Sequence, residues 1–109
     1  MSTGPRAIAV SSLHRSDLLP EEPTVAETVP GFNFSSWAGL LVPAGTPAEI
    51  VNRLHAEIVR ILNLSDVKRQ LTRLGAEPVG STPQQFAGVI RSETAKWSRV
   101  VKDSGAKVD

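Results

Sequence analysis

At 109 residues, 40% of them hydrophobic and 21% charged, the chain has the size and composition of one ordinary soluble domain and lies well away from disordered sequences. Twelve basic residues nearly cancel eleven acidic ones and are interspersed with them, which excludes a single-sign field able to draw nucleic acid or an anionic membrane. The absence of Cys excludes disulfide frameworks, thiolate chemistry and thiolate zinc sites.

No apolar run approaches the roughly 20 residues of a membrane span. The start, "MSTGPRAIAVSSLHR", offers only Ala7 to Val10 as an apolar stretch, too short for a secretory signal. As written, the chain is expected to stay in the cytoplasm.

In chain order, "RAIAVS" predicts a buried strand over about Arg6 to Ser11. Pro20, Pro23 and Pro30 make the following stretch a long irregular connection, within which Thr24 to Thr28 are expected to form one helical turn. "SSWAGLLV" is apolar and stops at Pro43, which predicts a second strand over Trp37 to Val42, with Gly39 marking a bulge or a close backbone approach.

"PAGTP" then sets up a helix start: Thr46 as N-cap, Pro47 at the first helical position and Glu49 reaching back to the cap. Ile50, Val51, Leu54, Ile58, Ile61 and Leu62 share one face, so a helix is expected from about Pro47 to Asn63. Ser65 is read as the cap of a shorter helix with Val67, Leu71 and Leu74 on one face and Gly75 as its stop. The start signal repeats at Thr82, Pro83 and Gln85. Phe86, Val89, Ile90, Trp97, Val100 and Val101 form the stripe of a last helix ending near Gly105, with Glu93 and Thr94 interrupting it. Trp97 is expected in the core.

Catalytic chemistry finds little footing. Ser11 or Ser12 with His14 and Asp17 is the only nucleophile, base and orienter set, and so tight a cluster along a chain rarely converges on one point. His14 and His55 are the only imidazoles, without ligand-like spacing to carboxylates, so no metal is expected. Neither a phosphate-binding loop nor a dinucleotide fingerprint occurs, and no cofactor is expected. "NFS" and "NLS" match a glycosylation acceptor that recurs by chance. Trp37 is either core or the wall of a cleft beside Gly39.

Taken together, "LLPEEPTVAETVPGF", "SSWAGLLVPAGTPAEIVNRLHAEI" and "GAEPVGSTPQQFAGVIRSETAKWSRVVKDSGAK" resemble one family, the Bug family of extracytoplasmic solute receptors of tripartite tricarboxylate transporters. The order of Pro-Thr-Val-Ala-Glu (23–27), Pro-Gly-Phe (30–32), Trp-x-Gly (37–39), Pro-Ala-Gly-Thr-Pro (43–47) and Gly-Ala-Glu-Pro-x-Gly (75–80) carries the likeness from about Ala7 onward. The resemblance implies a periplasmic receptor that is not an enzyme, with two α/β lobes closing on a small carboxylate and working with membrane transporter subunits.

This chain is similar to the C-terminal portion only. The implied fold class is α/β, a fragment of a periplasmic-binding-protein-like fold with few short strands and three amphipathic helices. Residues 6–34 then resemble part of the second lobe, 35–42 the crossing strand, and 43–109 a helical part packing mainly on the first lobe. Ser11, Ser12, Ser36 and Trp37 are the candidate ligand-lining residues. Two short strands and three helices present more apolar face than so small a sheet covers, so a homo-oligomer is expected. A helical module docking another partner is the alternative function.

Overall fold

Helices dominate what forms. The computed structural model describes residues 4–108, and its three helices are α1 (Ala48–Leu62), α2 (Ser65–Arg73) and α3 (Pro83–Ser104). The chain divides into two units, Met1–Leu41 and Val42–Asp109.

The second unit contains all three helices. Helix α3 starts as its sequence predicts: Thr82 accepts from the Gln85 N–H (3.1 Å), the Gln85 side chain accepts from the Thr82 N–H (2.9 Å), and Pro83 occupies the first helical position. Helix α1 does not. Its N-cap is Pro47, with no side-chain cap, because the Thr46 hydroxyl donates instead to the Pro43 carbonyl (2.7 Å). Ser65 likewise does not cap α2; it is the first helical residue, and Leu64 holds the cap position without a side-chain bond.

Gly75 stops α2 as expected. At φ 75° its N–H donates to the Thr72 carbonyl (3.0 Å) and the Ala76 N–H to the Leu71 carbonyl (2.8 Å), a pair of bonds that satisfies the last carbonyls of the helix. Helix α1 packs against both α2 and α3. Val51, Ile58, Val59, Leu62, Val67, Leu71, Phe86 and Ile90 are half-buried, whereas Ile50, Leu54, Ile61, Val89, Val100 and Val101 remain exposed.

Trp97 is a further correction, since it is exposed rather than core. Its indole N–H donates to Glu93 Oε2 (2.7 Å), and Lys96 Nζ lies 5.5 Å from its ring centroid. The carboxylate that breaks the apolar stripe is thus the partner of the ring one turn later.

The expected strands are absent among the described residues. Arg6 to Ser11 reduces to a single parallel bridge between Val10 and Thr24, and Trp37 to Val42 has no ladder at all. Gly39 therefore marks no bulge, and it lies outside the left-handed region. An apolar run becomes a strand only when a neighbouring chain accepts and donates its backbone bonds. The first run is paired only around Val10 and neither run extends into a ladder, and Ile8, Leu40 and Leu41 stay exposed. The three amphipathic helices form as expected, but the α/β class is not confirmed, since the described residues are helical and irregular.

Candidate functional site

All four candidate residues lie in the first unit, and its geometry is built by polar contacts. The Val10 N–H donates to the Pro23 carbonyl and the Val25 N–H to the Val10 carbonyl, both at 2.9 Å. These bonds close residues 10–25 into a loop whose ends meet, the form of an Ω-loop. Within it, the Leu19 N–H donates to the Ser16 carbonyl and the Glu22 N–H to the Leu19 carbonyl (both 3.1 Å), giving two successive turns.

A 3-10 turn at Val25–Glu27 follows the loop closure, where one helical turn was expected. Thr24 caps it. The Glu27 N–H donates to Thr24 Oγ1 (3.2 Å), and Glu27 Oε2 accepts from the Thr24 N–H (2.7 Å), a reciprocal capping box. Thr24 is the one buried residue of the described chain, at 4% exposure.

The same Glu27 carboxylate receives the Arg15 guanidinium side-on, Nε to Oε2 at 3.0 Å and Nη2 to Oε1 at 2.7 Å, and Arg15 Nη1 also reaches the Pro20 carbonyl (3.5 Å). The Arg15 hydrogen bonds and the Thr24 N–H hold the Glu27 carboxyl down at about 2, against an ordinary 4.5. Arg15 is raised in turn by its bond to Glu27.

Ser11 and Ser12 lie between these two anchors and are half-buried. Ser12 Oγ donates to the His14 carbonyl (2.8 Å), so its proton is committed to the main chain rather than to an imidazole, and no Ser–His pair of the hydrolase kind is made there. The Ser11 hydroxyl makes no hydrogen bond among the described residues. The Ser11 carbonyl accepts from the Phe34 N–H (2.9 Å), which brings the stretch carrying Ser36 and Trp37 back to the stretch carrying Ser11 and Ser12. Ser36 and Trp37 are exposed, Trp37 at 49%.

Sequence reasoning missed Arg15 and Glu27. Half the signal was there, since Thr24-x-x-Glu27 is a capping-box pattern. Nothing local pairs Arg15 with a carboxylate twelve residues on.

Among the described residues, the second unit offers no comparable site. His55 Nε2 lies 3.3 Å from the Gly80 carbonyl; a carbonyl can only accept, so this nitrogen carries the proton and the ring staples α1 to the stretch before α3. A crevice of about 140 Å³ lined by Val59, Leu62, Asn63, Lys68, Pro78, Val79 and Gly80 is well below the roughly 300 Å³ at which ligand pockets begin. Among the described residues no cluster of His, Asp and Glu could hold a metal, and no helix is long and apolar enough to cross a membrane.

Comparison with known proteins gives this arrangement its context. Residues 2–106 match the family model described as the tripartite tricarboxylate transporter family receptor. The chain is 41% identical over 98 residues to the UPF0065 protein in the tcbD-tcbE intergenic region of Pseudomonas sp. strain P51, covering 88% of this chain and 29% of that protein. It is 38% identical over 104 residues to Protein BugT of Bordetella pertussis, covering 94% of this chain and 32% of the relative. The chain thus spans about a third of the length of these relatives. A match along nearly its whole length places it: the chain belongs to the tripartite tricarboxylate transporter receptor family.

Proposed function

We propose that this chain is the C-terminal part of a periplasmic solute receptor for small carboxylates, one that hands its ligand to membrane transporter subunits and performs no catalysis. The family match over residues 2–106 carries this reading. In the whole receptor, residues 6–34 would belong to the second lobe, 35–42 to the crossing strand and 43–109 to a helical part set mainly on the first lobe. Ser11, Ser12, Ser36 and Trp37 line the cleft. Of the two adjacent serines, Ser11 is the donor to a ligand carboxylate, because the Ser12 proton is already given to His14.

The isolated chain binds weakly, because a cleft needs both walls and this chain spans about a third of its relatives. Calorimetry with citrate and succinate is expected to show no binding in the micromolar range or tighter. Sub-micromolar binding by the isolated chain contradicts that expectation.

The exposed apolar residues of α1 and α3 favour self-association of the isolated chain through these faces. A pull-down that recovers one specific partner other than the chain itself would instead favour the docking-module reading.

A further inference from the structure

We propose that Arg15 and Glu27 are positioning residues of this site: with the Thr24 cap, their paired charges pin the turn that carries Ser11 and so set the direction in which its hydroxyl meets a ligand carboxylate. The inference rests on the carboxylate reading above.

The geometry that carries it is a bridge fixed at both ends to one support. At one end Val10 is bonded to Pro23 and Val25. At the other, Arg15 is bonded through two nitrogens to Glu27. Both supports belong to the same short stretch, Pro23 to Glu27, which is itself rigidified by the reciprocal Thr24 and Glu27 cap. Residues 11–14 span between them, and the Phe34 N–H adds a third tie at the Ser11 carbonyl. A six-residue segment held in this way has few directions left for its side chains, which is how preorganised sites lower the cost of binding.

Exposed ion pairs taken singly contribute little. This one differs in two respects: it is bidentate, and one oxygen, Glu27 Oε2, serves Arg15 and the Thr24 N–H together. Loosening the pair therefore also disturbs the cap of the one buried residue. Lysine cannot reproduce the side-on contact, since an ammonium is a point charge without a fork.

The two functions of Glu27 separate by substitution. Glu27→Gln keeps an acceptor for the Thr24 N–H, as Gln85 does for Thr82, while removing the charge opposite Arg15. Glu27→Ala removes both.

The test is amide exchange on the full 109-residue chain, read together with citrate titration by NMR. Protection of the Val10, Val25 and Phe34 amides is expected to fall about tenfold in Glu27→Gln and in Arg15→Ala and further in Glu27→Ala, with Arg15→Lys between wild type and Arg15→Ala, as expected for loss of a bidentate charged contact. The Asn63 and Gly75 amides serve as the control that does not change. Wild-type protection at the three amides is expected to decline as pH falls from about 4.5 toward about 2, and that of Glu27→Gln to be flat over the same range. Millimolar citrate is expected to shift the Ser11 resonances in wild type and much less in Glu27→Gln.

Unchanged exchange in Glu27→Gln and Arg15→Ala overturns the pinning. Equal citrate shifts in wild type and Glu27→Gln overturn the link to the ligand. No shift in wild type overturns the carboxylate reading itself, a failure distinct from the other two.

Discussion

The two units of this chain solve the same problem differently. In Val42–Asp109 the backbone satisfies itself within each helix, and sequence-local devices set the limits: the Thr82 box at the start of α3 and Gly75 after α2. In Met1–Leu41 the local turns and the Thr24 cap are held by ties between residues far apart in sequence. The ties run from Val10 to Pro23 and Val25, from Arg15 to Glu27 and from Phe34 to Ser11. A helix needs only its own next turn, whereas a strand needs another segment. In a chain spanning about a third of its relatives the helices form, and the two apolar runs that read as strands do not.

This contrast can be broken from the helical side first. Ala95→Pro, in the interior of α3, is expected to cost about 3 kcal/mol or more through the lost hydrogen bond and the ring clash. Far-UV circular dichroism should lose much of the α3 signal while the Val10 and Val25 amides keep their protection. Loss of both together would mean that the first unit does not stand by itself.

A smaller effect is expected at Gly80, which has φ 63° and would place a Cβ 3.4 Å from Val59 Cγ2. Gly80→Ala is expected to destabilise the second unit by about 1–2 kcal/mol, the cost of a left-handed conformation for a residue with a side chain. Urea unfolding followed by helical signal measures it.

The paired threonines sharpen the comparison further. Thr82→Ala is expected to cost about 1 kcal/mol, the usual loss for a capping side chain. Thr46→Ala, at the same Thr-Pro string, should stay within about 0.5 kcal/mol, because its hydroxyl closes a turn onto Pro43 instead of capping α1. Equal losses at the two positions would show that the sequence signal and not the observed bonding governs.

The smallest expected effect is the acid response of the first unit. Glu27 is lowered in the folded state to about 2 from an ordinary 4.5. Its contribution is therefore fully present above about pH 4.5 and is lost as pH falls through about 2. A carbon-detected titration of the Glu27 carboxyl should give a midpoint near the lower value, moving back toward the ordinary one in Arg15→Ala.

What could be read in advance follows the same division. The three helices and the stop at Gly75 were legible because periodicity and capping are local. The caps of α1 and α2 were not, since Thr46 and Ser65 carry the right side chains and only the bonding decides whether those side chains are used. Trp97 was placed in the core because periodicity records which face a ring lies on, not whether anything covers that face. The apolar character of Ala7 to Val10 and of Trp37 to Val42 was plain, but pairing is a property of two segments, and one sequence window shows only one of them. Of the candidate site, Ser11 and Ser12 stood out as polar residues leaving an apolar run. Arg15 did not, because its carboxylate partner is twelve residues away and joined to it only by folding.

The central claim is that these residues leave exposed apolar helix faces and exposed apolar runs that further polypeptide must cover. Sedimentation velocity of the isolated chain across a wide concentration range tests this most directly. Concentration-dependent association is the predicted result, as second copies cover Ile50, Leu54, Ile61, Val100 and Val101. A monomer that stays folded and unassociated at the highest concentration would contradict it.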